Sequence, residues 1–309
     1  MFSAAIVSAA SGATESPNIL GDGISYWSPR DAVRGWNSVA SSADGSSLIA
    51  STNGGQIYTS TDTGITWTPR DAMRGWNSVA SSADGSRLVA VVYGGQIYAS
   101  ADSGATWTPR EYRRNWYAVA CSSDCTKLVA VEKGGKIPGR IFTSKDAGIT
   151  WAAGESSRGW YSVASSADGA KLISAARGGQ IFTSADSGAT WTPHEMNRNW
   201  YSVASSADGT KLAAVVYGGQ IYTSSDSGAT WTPHEMNRNW HSIASSADGT
   251  KLAAVVYGGQ IYTSSDSGAT WTPHEMNRNW YSVASSADGN KLVAVVYGGQ
   301  IYTFTHPKK

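Results

Sequence analysis

Apolar and polar positions fall in short runs, and the runs return at a fixed spacing. In residues 192–231, TPHEMNRNWYSVASSADGTKLAAVVYGGQIYTSSDSGATW, the apolar positions cluster in Trp200–Ser206, Lys211–Tyr217 and Gln220–Ser224. Turn residues close each run: Ala207-Asp208-Gly209, Gly218-Gly219 and Asp226-Ser227-Gly228. A fourth run starts at Thr230 and crosses into the next copy. The pattern predicts four short antiparallel strands per unit, with Asp-Gly and Gly-Gly as hairpin signals. No stretch has a helical period, and a Gly-rich, β-branched unit excludes a helical repeat.

The unit returns at 232–271 with two changes, Tyr201 to His241 and Val203 to Ile243, and looser copies fill most of the remaining chain. Four antiparallel strands at a period of about 40 residues read as the blades of a β-propeller. The 14 tryptophans give the count. One series opens the first strand: Trp36, Trp76, Trp116, Trp160, Trp200, Trp240 and Trp280. The other opens the fourth: Trp27, Trp67, Trp107, Trp151, Trp191, Trp231 and Trp271. The expected fold is therefore all-β, a seven-bladed propeller of four-stranded antiparallel blades. Trp27 has no blade before it, so residues 24–29 are expected to supply the outer strand of the last blade and close the ring. Residues 24–309 form the propeller in this reading, and residues 1–23 are an N-terminal tail.

Charge narrows the partners. With 24 basic and 23 acidic residues the formal net charge is +1, which argues against nucleic acid or an anionic membrane. No stretch has the apolar length of a membrane span. Phe2–Ala10 is mildly apolar but lacks a preceding Lys or Arg, so it reads either as an atypical export signal or as a tail. Cys121 and Cys125 either bridge the first hairpin turn of the third blade or stand as free thiols. A bridge would suit an oxidising compartment, secreted or periplasmic. Two cysteines alone are no zinc site.

The turn between third and fourth strands reads Ser-x-Asp-x-Gly-x-Thr-Trp at Asp62, Asp102, Asp146, Asp186, Asp226 and Asp266. The carboxylate can accept backbone N–H bonds across the turn, Gly permits a positive φ, and Trp buries against the sheet. This resembles the Asp-box, or bacterial neuraminidase repeat, of the sialidase-like superfamily, over residues 24–305. The resemblance implies the fold and a structural role for these aspartates. One carboxylate per turn is too few for calcium, and no metal or cofactor is expected. Asp-box propellers include sialidases, sortilin-like receptors and the seven-bladed photosystem II assembly and stability factors, which are the most similar in architecture.

Loops joining fourth to first strand, and second to third, share one face. An acid lies four residues after each outer Trp (Asp31, Asp71, Glu111, Glu155, Glu195, Glu235, Glu275), and an Arg seven after (Arg34, Arg74, Arg114, Arg158, Arg198, Arg238, Arg278). Acid and Arg of adjacent blades could pair and stitch the ring together; alternatively they line a funnel for a polar ligand. Positions before Gly-Gly and after the inner Trp vary between blades, which reads as surface drift. A four-residue insertion, within Lys136–Arg140, sits on the same face.

Near-identical blades give each carboxylate the same setting, so nothing separates a catalytic acid from a base. The expectation is a non-catalytic, monomeric binding module with lectin-like glycan sites repeated on several blades. The candidate ligand residues are His194, Glu195, Asn197, Arg198 and Tyr217; His234, Glu235, Asn237, Arg238 and Tyr257; His274, Glu275, Asn277, Arg278 and Tyr297. The alternatives are a protein-docking scaffold similar to the photosystem II assembly factors, using the Arg ring, and a sialidase-like glycosidase.

Overall fold

The structure is a computed structural model that describes residues 27–134 and 139–306; of residues 155–157 and 195 only the backbone is described. The tail assigned to residues 1–23, Ile24–Tyr26 of the expected closing strand and Lys136–Pro138 of the insertion lie outside the described residues. Among the described residues there are eighteen strands, all pairing antiparallel, and no helix. Among these residues no helix is therefore long and apolar enough to cross a membrane.

The predicted runs pair as a meander. Each inner strand pairs with the second run of its unit, as Trp200–Ser205 does with Leu212–Val216. The third run pairs with the fourth, as Ile221–Thr223 does with Thr232–His234. The second and third form a hairpin, seen separately in Leu88–Val91 against Ile97–Ser100. The boundaries differ from the expectation. Leu212–Ser224 runs through its Gly-Gly bend as one strand, and Thr192–Ser205 runs from an outer position into the next inner one. The reason is that the loops bond to each other: Tyr217 pairs with Asn239, and Gly219 with Arg238. Ser28–Arg30 pairs with Ile301–Thr303, so the first described strand flanks the last.

The core lies between units. Each inner tryptophan is fully buried. Trp200 sits with Val203, Leu212, Ala214, Val216 and Tyr222 of its own unit and Ile173, Ala175 and Ile181 of the one before. The same arrangement joins the last unit to the first, where Val293, Val295 and Ile301 meet Trp36, Val39 and Leu48. Trp27 is buried beside Trp280 and Phe304, with ring centroids 6.3 and 5.3 Å away.

Backbone bonds between the first hairpin turns run in one direction and return to their start. Ala43 N–H donates to the Ala83 carbonyl, Ala83 to Ser123, Ser123 to Ala167, Ala167 to Ala207, Ala207 to Ala247, Ala247 to Ala287, and Ala287 back to Ala43. Each bond measures 2.7 to 2.8 Å.

Two sets of aspartates hold the turns at this end. In the expected set, Asp226 accepts from the Thr230 hydroxyl at 2.6 Å, the Thr230 N–H at 2.9 Å and the Ser224 hydroxyl at 2.8 Å. Gly228 lies at φ +91, and a Cβ there would meet Thr183 of the preceding unit at 3.0 Å. The second set escaped the sequence reading. Asp44, Asp84, Asp124, Asp168, Asp208, Asp248 and Asp288 each accept from a serine two residues earlier, as Asp44 does from the Ser42 hydroxyl at 2.7 Å. Cys121 and Cys125 are bridged, and Cys125, at φ 48, takes the left-handed turn position that glycine holds in the other units.

Two expectations follow. Trp27→Ala should cost about 3–5 kcal/mol, as large core truncations do, and lower the calorimetric midpoint by several degrees. A midpoint within about a degree of the parent's would refute the contribution of this strand. The second concerns acid. Hydroxyl and N–H donors, the Thr230 hydroxyl foremost, hold Asp226 at about 2; the Ser42 hydroxyl does most to hold Asp44 there. Unfolded aspartates bind protons at about 3.9, so this stabilisation is complete above that value and is lost as pH falls towards 2. Thermal midpoints should drop steeply between pH 4 and 2, and Asp226→Asn should flatten the drop. Calcium-dependent melting abolished by that substitution would instead make these turns ion sites.

Candidate functional site

The other end of each unit carries the acid and Arg loops, and here the geometry departs from ring stitching. Four ion pairs form within a loop: Arg34 with Asp31 at 3.6 Å, Arg74 with Asp71 at 3.5 Å, Arg114 with Glu111 at 3.8 Å and Arg238 with Glu235 at 3.8 Å; Arg114 also reaches Glu132 of its own unit at 3.9 Å. Three residues is too short a span to reach a neighbouring unit, and the guanidinium instead stacks on the third-strand aromatic of its own unit. Arg34 lies 4.6 Å from the Tyr58 ring, Arg198 4.7 Å from Tyr222, Arg238 4.8 Å from Tyr262 and Arg278 4.9 Å from Tyr302. The acid position is also bent: Asp31, Asp71, Glu235 and Glu275 have φ between 45 and 61. Its carbonyl accepts from the Gln after Gly-Gly, as from Gln220 to Glu235 at 3.0 Å and Gln300 to Asp31 at 3.0 Å. That glutamine was not singled out in the sequence, though it follows Gly-Gly in six units.

The residues proposed for one sugar site divide between two places. His194, His234 and His274 each bond a threonine of the neighbouring strand at 2.7 Å (Thr183, Thr223, Thr263), and burial lowers their proton affinity. His274 opens on a cleft of about 730 Å³ with Lys251, Lys291 and His306. Asn197, Asn237 and Asn277 are exposed on the loops. Tyr217 belongs beside the following loop, with Asn239 as its strand partner and Arg238 opposite Gly219, and Tyr257 likewise pairs with Asn279, with Arg278 opposite Gly259.

The variable positions, read in the sequence as drift, meet each other. Those after the inner Trp form a continuous aromatic run: Tyr117 to Tyr161 4.4 Å, Tyr161 to Tyr201 4.5 Å, Tyr201 to His241 4.9 Å and His241 to Tyr281 4.0 Å. Burial raises the Tyr117 and Tyr161 phenols well above their usual range. Asn37 and Asn77 complete the set, donating to the Trp76 carbonyl at 2.7 Å and the Tyr117 carbonyl at 2.6 Å. His241 makes the equivalent bond to the Tyr281 carbonyl at 2.6 Å, which requires its proton on Nδ1. Burial pushes His241 down to about 4.

Residues before Gly-Gly stand over this floor. Tyr217 stacks on Tyr201 at 4.9 Å, and Tyr297 approaches Tyr281 at 5.4 Å. Lys133 lies 4.5 Å from the Tyr117 ring, and Arg177 5.3 Å from Tyr201. Around them, on the loops, Val33, Met73, Tyr112, Met196, Met236 and Met276 are exposed. Among the described residues no group of three or more His, Cys, Asp or Glu gathers where a metal could be held.

No protein-family model matches the chain, and no curated protein matches it in sequence. Solved structures do match in fold. YCF48 from Cyanidioschyzon merolae aligns with a TM-score of 0.71 at 18% identity, covering 91% of this chain and 98% of its own. A structure described as YCF48 bound to D1 peptide aligns at 0.70 and 16% identity, covering 95% and 98%. The β-propeller domain of Cps50 (Swd1) from Myceliophteria thermophila aligns at 0.71 and 12% identity, covering 92% and 100%. The chain folds as a β-propeller.

The buried histidine gives a direct check. His241 should stay neutral from pH 8 to 5 and titrate near 4, read from its ring proton shifts by NMR. An unfolded histidine binds protons below about 6.5, so His241 opposes folding progressively as pH falls from there to about 4. His241→Tyr, which restores the residue of the neighbouring units, should reduce that part of the pH slope.

Proposed function

We propose that the chain is a non-catalytic, seven-bladed Asp-box propeller, closed by its first strand, that docks a protein partner on the aromatic end. The observation that carries this is the apolar rim, Val33, Met73, Tyr112, Met196, Met236 and Met276, standing exposed around the aromatic floor. Among the described residues eight of the ten exposed large apolar side chains lie at this end, and Ile65 and Ile149 at the other; such a concentration marks an interaction surface, and methionine adapts to varied partners. The blade count rests on the seven inner ladders and on the cycle of turn amides from Ala43 back to Ala43. A propeller of this fold bound to a peptide supports a peptide segment as the docked element. The repeated glycan sites rank second, because His194 and its equivalents are bonded to threonine and Tyr217 belongs to a different loop. A sialidase-like reaction has less support still: Asp31, Asp71, Glu111 and Glu235 each face the Arg of their own loop.

Arg238, Arg278, Tyr217 and Tyr297 are the contacts we assign within this surface, together with Met196 and Met236. Selection from a displayed library of random peptides, run beside a glycan array, separates the readings. Peptides should be enriched, and the combination Met196→Glu with Met236→Glu should weaken their binding about tenfold or more, as loss of interface anchors does. Lys211→Glu, at the aspartate-turn end, should leave binding unchanged. Glycan capture without peptide enrichment would overturn the docking function.

A further inference from the structure

The positions over the aromatic floor are Asn53, Tyr93, Lys133, Arg177, Tyr217, Tyr257 and Tyr297. The two cations are neighbours and share a ring: Lys133 Nζ lies 5.4 Å from the Tyr161 centroid and the Arg177 guanidinium 5.5 Å from it. Lys133 also covers Tyr117, and Arg177 also covers Tyr201. Among the described residues neither makes an ion pair. The nearest acid in sequence, Glu132, is 3.9 Å from Arg114. The groups beneath them, Tyr117, Tyr161 and Tyr201, are aromatic rings in mutual contact at 4.4 and 4.5 Å. Arg177 is exposed and Lys133 half-buried, so both can be reached from the open end.

We infer that Lys133 and Arg177 form a carboxylate-binding point that receives an acidic group of the docked peptide segment. This deepens the docking function and rests on it. Two like charges over one ring repel, and an anion between them removes that repulsion while accepting from the ammonium and the guanidinium together. Burial, and then the Arg177 charge, lower the proton affinity of Lys133, in keeping with two cations placed over the one Tyr161 ring. The tyrosine faces on either side supply flat apolar surface for the neighbouring peptide groups. A carboxylate matches the planar guanidinium in two parallel bonds. It can come from an Asp or Glu side chain or from a chain terminus.

The test uses the peptides enriched from the displayed library, resynthesised with free and amidated C-termini and with each Asp or Glu replaced by Asn or Gln. Removing one carboxylate should weaken binding to the parent protein about tenfold, as loss of a charge-assisted bond does. The arm that responds identifies side chain or terminus. The Lys133→Tyr, Arg177→Tyr protein carries the residue other units have at this position, so it should fold. It should bind acid and amide peptides equally. Lys133→Glu with Arg177→Glu should select peptides rich in Lys and Arg. Enriched peptides that need Met196 and Met236 yet bind equally without their carboxylates would overturn the carboxylate point and leave docking intact. Failure to enrich any peptide would overturn both.

Discussion

No unit of this molecule owns a complete core. The inner tryptophan is buried between the strands of its own unit and the second and third strands of the preceding one. A repeat of this kind is unstable alone and gains its apolar burial from its neighbours. The same dependence shows in the polar groups: one amide of each first hairpin turn, as at Ala43, donates to the next turn, and Asn37, Asn77 and His241 donate to a carbonyl of the next unit. Apolar and polar bonding therefore favour the same unit-to-unit geometry. That agreement fixes the positions of loops that have no regular structure of their own.

Much of this was legible. The tryptophan spacing placed the inner and outer strands, and the Ser-x-Asp-x-Gly-x-Thr-Trp turns fold with the local bonding their residue types demand. The floor was not legible, and the reason is geometric. Along a strand Trp200 points one way and Tyr201 the other. In a single sheet the second direction is solvent. In this fold it meets the neighbouring units, where Tyr201 touches Tyr161 and His241 from sequence positions 40 residues away on either side. A scan for invariance prefers the Asp, Glu and Arg positions, whose partners lie within the same loop. It passes over positions that differ because their neighbours differ. The second set of aspartates was missed for a simpler reason: Ala-Asp-Gly already reads as a turn, and the serine two residues before it adds no separate signal.

The two ends of the molecule thus have different chemistry from the same repeat. At one, thirteen aspartates accept hydrogen bonds from their own turns, so their carboxylates are already engaged, and only Ile65 and Ile149 are exposed large apolar side chains among the described residues there. At the other, apolar side chains and cations stand over aromatic rings. Near-identical repeats can therefore build a polarised molecule, since each strand reversal places one class of turn at one end only.

The pairing of Ser28–Arg30 with Ile301–Thr303 bears on how the chain reaches this state. Arg30 donates to the Thr303 hydroxyl across 273 residues of sequence, whereas most inter-unit contacts span about one repeat. Contacts of large sequence separation are the slow ones to form, because the intervening chain must be ordered before they are rewarded. An arc of assembled units would form early and quickly by nearest-neighbour growth. The joining of first strand to last would come late, as the rate-setting event. Until then the arc has a bare strand edge at its last unit, the point at which a second chain could lend its own first strand.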